Sequence, residues 1–268
     1  MPLRDPGSYC TLHTGNLLDY SALPFQLPRP QRKLSSSTKF SDELPSAINY
    51  LAKNDTPFSM ADRVYTPTTR VPLKPNKEVR CTLKVCLSAM LPDYIEDAVR
   101  IARNTLHIKT ISELIIAFPF AESMYLSDSA WMQQVRPVWA AAEDLVDKGF
   151  VRSIGVSDLD VNRLRLLCQD AKRHKPAIQH YSFDAMISCE VPSELFIYAE
   201  ANGIQLATHD DPKNWVFSED VLESINKITH SGTDVVTKWI AKYTCCVPET
   251  SQETAKGYFV HVTNKPAH

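Results

Sequence analysis

The segment KGFVRSIGVSDLDVNRLRLLCQDA, residues 148–171, decides how the chain folds. Gly149 stops the helical pattern that precedes it. FVRSIGVS then reads as a short apolar strand, because its apolar residues do not alternate cleanly with polar ones as they would in a strand with one wet face. From about residue 160 the period changes to that of a helix, with Val161, Leu164, Leu167, Cys168 and Ala171 on one stripe. Helix, strand, helix within so few residues is the unit of a parallel sheet covered by helices.

The same unit recurs on both sides. VRCTLKVCLSA (79–89) reads as a strand, and PDYIEDAVRIARNTLHI (92–108) as a helix with Asp93 near its cap and Ile95, Val99, Ala102 and Leu106 on one stripe. SELIIAFPF (112–120) is a strand ended by Pro119, and a helix follows over about 128–148 with Trp131, Val135, Val138, Ala142 and Leu145 inward. AIQHYSF (177–183) and IQLATH (204–209) read as strands. SELFIYAEA (193–201) and VVTKWIAKY (235–243) read as helices, and Trp131, Trp139 and Trp239 take core positions on helix faces. A closed (β/α)8 barrel and an open doubly wound sheet both fit this alternation. With no GxGxxG, no GxxxxGK[ST] and only seven glycines, the phosphate-cradling loops of the open sheet are missing, which favours the barrel. In a barrel the functional residues sit at the C-terminal ends of the strands, here near Ser88, Ala117–Pro119, Ser157–Asp158, Tyr181–Phe183 and Thr208–Asp210.

The totals agree with one such domain over residues 1–268. A length of 268 residues and a hydrophobic fraction of 44% suit one barrel. The formal charge of −2 gives no field to attract nucleic acid or an anionic membrane. No run approaches the 18 or more apolar residues that span a bilayer, and MPLRDPGSYC has no apolar signal core. The seven cysteines are scattered without CxxC or zinc spacing, as expected of reduced thiols in the cytoplasm. Cys245 and Cys246 read as separate thiols, since adjacent cysteines bridge only with backbone strain. Residues 21–80 differ from the rest. LPFQLPRPQ (23–31), SSS (35–37) and YTPTTRVPLKP (65–75) form a proline-rich, loop-like insertion around one helix at SDELPSAINYLAK (41–53). His209-Asp210-Asp211 offers metal-ligating types, but adjacent positions converge poorly on one ion, and no metal site is expected.

GFVRSIGVSDLD, KPAIQHYSF (175–183), ANGIQLATHDDP (201–212) and ISELIIAFP (111–119) together resemble the aldo-keto reductases. The resemblance implies a (β/α)8 barrel of that type, NADPH binding without a Rossmann motif, and a tyrosine acid assisted by aspartate, lysine and histidine. Lys84 precedes Ala117 by 33 positions, near the family spacing for the lysine, but Ala117 stands where the family has its histidine. Five residues before Tyr50 and Tyr65 stand Pro45 and Met60, so the aspartate–tyrosine pair is missing. Loss of a general acid removes about 10²–10⁴ in rate. The nicotinamide contacts implied by the resemblance fall on Ser157, Asp158, His180 and His209. Asp158 replaces an asparagine and can only accept hydrogen bonds. Glu249 replaces the lysine that meets the 2′-phosphate, a change worth about 1–3 kcal/mol in repulsion and as much again in the lost bond. The site is therefore read as a degenerate pocket with no catalytic residue, Lys84 being a remnant, and no cofactor is expected.

LHTGNLLDY (12–20), GIQLATHDDPK (203–213) and KGYFVHV (256–262) narrow the resemblance to one branch, the regulatory, or modifier, subunits of glutamate–cysteine ligases. This implies a non-catalytic chain that forms a heterodimer with the ligase's catalytic subunit, raises its glutamate affinity and relieves feedback inhibition by glutathione. Cys189 is the candidate for an intersubunit disulfide, and Trp215, in the polar stretch DDPKNWVF (210–217), for an interface anchor. An NADPH-dependent reductase and an NADPH-binding sensor are the alternatives.

Overall fold

A computed structural model describes residues 9–19, 43–68, 79–182, 192–212, 215–230 and 235–265. Within them the chain has the α/β fold of aldo-keto reductase type. Five strands, β4 (Arg80–Leu87), β5 (Ile111–Ala117), β6 (Val151–Ser157), β7 (Ile178–Ser182) and β8 (Gln205–His209), pair in parallel in that order. The chain between and after them forms α2 (Pro92–Leu106), the short α3 (Phe120–Met124), α4 (Asp128–Asp147), α5 (Val161–Asp170), α6 (Ser193–Ala201) and α7 (Glu219–Thr229). Two long strands, β9 (Val235–Cys246) and β10 (Glu253–Asn264), form an antiparallel hairpin, and β9 pairs antiparallel with β4. β1 (Tyr9–His13) joins β10, and the hairpin of β2 (Phe58–Ala61) and β3 (Val64–Pro67) joins β1. The full order is β2-β3-β1-β10-β9-β4-β5-β6-β7-β8. α1 (Glu43–Lys53) is the helix expected inside the proline-rich region.

Local chemistry sets the boundaries. Asp160 caps α5 by accepting the amide hydrogens of Asn162 and Arg163 at 2.9 and 3.0 Å, satisfying donors the helix leaves open. Ser127 caps α4 in the same way. Gly149 ends α4 at a φ of +70°, a conformation that a glycine adopts without strain.

The helix expected at 235–243 is instead the first part of β9. From Ala241 to Cys246 buried and half-buried residues alternate with the period of a strand. Trp239, Ala241, Tyr243 and Cys245 belong to the core under α2, α4 and α5, whereas Val235 and Ile240 join a second core with Leu12, Leu44, Ile48, Leu51, Val221 and Ile225. β9 and β10 are thus buried on both faces, a pattern whose apolar run imitates a buried helix. Trp239 is accordingly a strand residue, stacked on His261 at 5.0 Å. The β2–β3 hairpin also lay hidden in the proline-rich region. It turns at Asp62 and Arg63, both in the left-handed region at φ 48° and 64°. Among the described residues no helix is long and apolar enough to cross a membrane.

Gly155, in the middle of β6, lies where a side chain has no room. A Cβ there would approach the carbonyl oxygen of Ile178 at 2.4 Å and the Ile115 side chain at 3.0 Å. Overfilling a packed core costs about 1–3 kcal/mol. Gly155→Ala is expected to lower Tm by several degrees, at roughly 2–4 °C per kcal/mol. An unchanged melting curve would mean that β6 and β7 are not this close.

Candidate functional site

Lys84, Ala117, Ser157, Asp158, His180 and His209, singled out from the sequence, gather at or below the C-terminal ends of β4 to β8. Lys84 lies inside β4, and the antiparallel register sets it opposite Lys242 of β9. Two unit charges about 5 Å apart repel by roughly 3 kcal/mol at an effective dielectric constant near 20, so this pair needs an anion. Asp211, two residues beyond β8, supplies it. Its carboxylate accepts from Lys84 Nζ at 3.0 Å and from Lys242 Nζ at 2.6 Å. Lys84 and Asp211 are both buried. Burial pushes the Asp211 pKa up, but the charges of Lys242 and Lys84 and their hydrogen bonds outweigh it and hold the carboxyl well below its usual range. Burial likewise opposes the charge on Lys242, and Asp211 overrides it, raising the pKa.

Asp211 also orients the next group. Its backbone amide donates to His209 Nδ1 at 3.1 Å, which places the ring hydrogen on Nε2. Nε2 then donates to Asp158 Oδ2 at 3.0 Å. The same oxygen accepts the Ser157 hydroxyl at 2.6 Å, and Oδ1 accepts the Ser182 amide at 2.9 Å. Both oxygens of Asp158 are therefore engaged. Burial raises its pKa, but the hydrogen bond and charge of His209, with Ser157, bring it below the ordinary value. Asp158 reaches this position at a φ of +61°, where aspartate is among the few tolerated side chains.

His180 faces the same node, its ring 6.0 Å from that of His209, and its buried Nδ1 has no hydrogen-bond partner among the described residues. Burial, then the positive charge of Lys84, lowers its pKa to about 4. Ala117 closes β5 in register with Cys86 of β4 and Ser157 of β6. Beside it, Phe118, Trp131, Ser157, Asp158, Leu159 and Arg163 line a cavity of about 320 Å³. Arg163 lies over the Trp131 ring at 5.1 Å and donates to the carbonyls of Ser123 and Leu126 at 2.7 and 3.2 Å.

Other residues fall elsewhere. Glu249 sits in the exposed turn between β9 and β10. Because β9 runs antiparallel to β4, that turn lies at the N-terminal end of the parallel strands, opposite Ser157 and Asp158. Trp215 is half-buried in the second core, edge-on to Tyr258 at 6.0 Å, while the adjacent Val216 is exposed. Cys189 lies outside the described residues. Four partners were missed from the sequence. Lys242 was hidden in the supposed helix, and Glu43, Lys256 and Tyr258 form a further buried cluster. There Glu43 accepts from Lys256 Nζ at 2.6 Å and from the Tyr258 hydroxyl at 2.8 Å. Burial and the Glu43 charge raise the Tyr258 pKa. The spacing of Trp239, Ala241, Tyr243 and Cys245 at every second position was the available signal for Lys242; nothing local marks Glu43 as buried. No group of three or more His, Cys, Asp or Glu among the described residues could hold a metal ion.

Residues 68–260 match the aldo/keto reductase family. The chain is 27% identical over 265 residues to the human glutamate–cysteine ligase regulatory subunit, covering 95% of this chain and 93% of that protein. A shorter stretch of 83 residues, 31% of this chain and 25% of the relative, is 34% identical to glycerol 2-dehydrogenase (NADP(+)) of Hypocrea jecorina. Among solved structures, an aldo-keto reductase from a deep-sea metagenome library covers 47% of this chain and 42% of its own, with 21% identity and a TM-score of 0.38.

Two substitutions test the node. Asp211→Asn leaves two lysines facing each other and is expected to destabilise the fold by about 3–5 kcal/mol, the usual effect of removing one partner of a buried ion pair. A carboxyl whose folded pKa is depressed stabilises the protein above its unfolded value, near 3.9, and loses that contribution as pH falls through the folded value. Denaturant titrations below about pH 4 should therefore show a steeper loss for the natural chain than for the variant. His180 works in a higher window. Its folded pKa of about 4 lies below the 6.5 of an unfolded histidine, so the folded state binds fewer protons and loses stability as pH drops from 6.5 to about 4. His180→Gln should flatten that segment; an unchanged slope would contradict the burial of this ring.

Proposed function

The chain belongs to the aldo/keto reductase family, and from that premise we propose that it is the regulatory subunit of a glutamate–cysteine ligase rather than a reductase. The observation that carries this reading is the extent of likeness to the human regulatory subunit, which runs through 95% of the chain, beyond the residues that match the family as a whole. The chain binds the ligase's catalytic subunit as a heterodimer, raises its affinity for glutamate and weakens inhibition by glutathione. Six described cysteines are free thiols, which supports a cytoplasmic setting.

The site's chemistry supports the absence of reductase activity. A carbonyl reductase needs a phenol poised to give up its proton and a lysine free to lower that phenol's pKa. Lys84 is committed to Asp211, and Tyr258 donates to a carboxylate that makes its hydroxyl a weaker acid. Ala117 has no side chain to bond a carbonyl oxygen. The residues also do not fit NADPH. Asp158 offers the carboxamide an engaged carboxylate instead of an amide, Glu249 is far from the mouth, and the lysines of the mouth are neutralised within the protein. The mouth is a braced wall, and the interaction with the catalytic subunit belongs to the outer surface.

Co-purification with a glutamate–cysteine ligase catalytic subunit, followed by glutamate saturation curves, tests this directly. A complex with a KM for glutamate lowered about 5- to 150-fold is expected, the range of a coupling free energy of about 1–3 kcal/mol. No complex, or an unchanged curve, would refute it. Fluorescence titration should show no saturable NADPH binding up to millimolar concentration, and NADPH should not be oxidised with a panel of aldehydes.

A further inference from the structure

The β4–β9 ladder carries a second cross-strand pair that neither the family likeness nor the mouth of the sheet explains. Cys81 and Cys245 stand directly opposite each other, one residue pair in from the end of the ladder, where Arg80 faces Cys246. Both are free thiols, fully buried, and their side chains hydrogen-bond to each other. Directly paired antiparallel residues have Cα atoms about 4.5–5.5 Å apart, inside the range of about 4.4–6.8 Å that a disulfide spans. The register thus sets the two backbones at a separation that a disulfide can span. Cys246 follows Cys245 and points to the other face by the period of the strand.

We propose that Cys81 and Cys245 are a redox modification site, a dithiol that low-molecular-weight disulfides convert to a cross-strand disulfide. One thiolate attacks the small disulfide and expels one small thiolate, leaving a mixed disulfide. The second protein thiolate attacks the protein sulfur of that bond and expels the second. Two protein thiols are oxidised, one small disulfide is reduced to two thiols, and the two protons leave with the released thiolates. Access comes from the end of the ladder. Only the Arg80–Cys246 pair lies beyond the dithiol, the Val247–Gln252 turn is largely exposed, and β10 carries a register shift between Glu253 and Ala255 beside Cys245. Fraying of one or two pairs at such an end is a low-energy opening. The hydrogen bond between the thiols, together with burial, holds Cys81 above the usual thiol pKa, so the exchange is slow and quickens with pH. Once closed, the bond ties β9 to β4 three residue pairs from the Lys84–Lys242 pair.

The test is to incubate the full chain with excess glutathione disulfide, block remaining thiols with an alkylating reagent under denaturing conditions, and map non-reduced tryptic peptides. Joining of the peptide Cys81–Lys84 to the peptide Tyr243–Lys256 is expected, with loss of two alkylatable thiols and a rate rising about tenfold from pH 7 to pH 8. Cys81→Ser should abolish the link, and Cys246→Ser, which leaves both buried thiols, should keep it. Glutathione adducts without the link, or a link lost in Cys246→Ser, would overturn the assignment. Should Cys81→Ser fail to fold, the maps of the natural chain and of Cys246→Ser decide the question alone.

Discussion

Everything at the mouth of the sheet depends on one carboxylate. The register of β9 against β4 sets Lys84 and Lys242 opposite each other, Lys84 buried and Lys242 partly so. Asp211 neutralises the repulsion, and in doing so it fixes where the chain leaves β8. That exit point places His209, which fixes Asp158, which in turn takes up the ends of β6 and β7 through Ser157 and Ser182. A single ionic demand in the centre of the sheet thus propagates through hydrogen bonds to five strands. Such a network is worth more intact than the sum of its pairs, because each partly satisfied member would leave a buried charge exposed to low dielectric.

The same arrangement explains why the second core exists. β9 pairs with β4 on one edge and β10 on the other, and its side chains divide between two cores, so β9 and β10 have apolar cover also on the side away from α2 and α4. α1 and α7 provide it, packing with β1 against Val235, Ile240, Val260 and Val262. Glu43, at the start of α1, then meets Lys256 and Tyr258 across this second core. The long hairpin is the shared wall, and the two buried polar clusters lie on it, one at Lys242 and one at Lys256.

Much of this was legible in the residues. The strands β4 to β8 and the helices α2, α4, α5 and α6 between them follow from short apolar runs bounded by caps, prolines and glycines, since those signals are local. So do Lys84, Ala117, Ser157, Asp158, His180 and His209 as neighbours, because strand ends of a parallel sheet gather at one rim. β9 was misread for a physical reason. A strand buried on both faces loses the polar half of its alternation, and VVTKWIAKY contains apolar residues at helical as well as strand spacing. The error carried Lys242 away from Lys84. Glu249 was set in the cofactor pocket by resemblance alone, whereas antiparallel pairing puts it at the far end of the strands. Glu43 and Tyr258 come together over 215 positions of sequence, and no local pattern encodes a contact that only the packing of α1 on β10 creates.

A mouth whose lysines and aspartates are paired with one another has a consequence for how such a chain acts. Catalysis at a strand rim requires groups held short of satisfaction, so that the substrate's developing charge completes their bonding. Here the lysines, the aspartates and His209 complete one another, and what remains for a ligand is a small cavity whose arginine is already bonded to backbone carbonyls. Groups that bond one another within the protein hold one another in place. Rigidity is what a regulatory partner can use: a surface that does not deform can favour one conformation of the protein it meets, because the free energy of binding is not spent on rearranging itself.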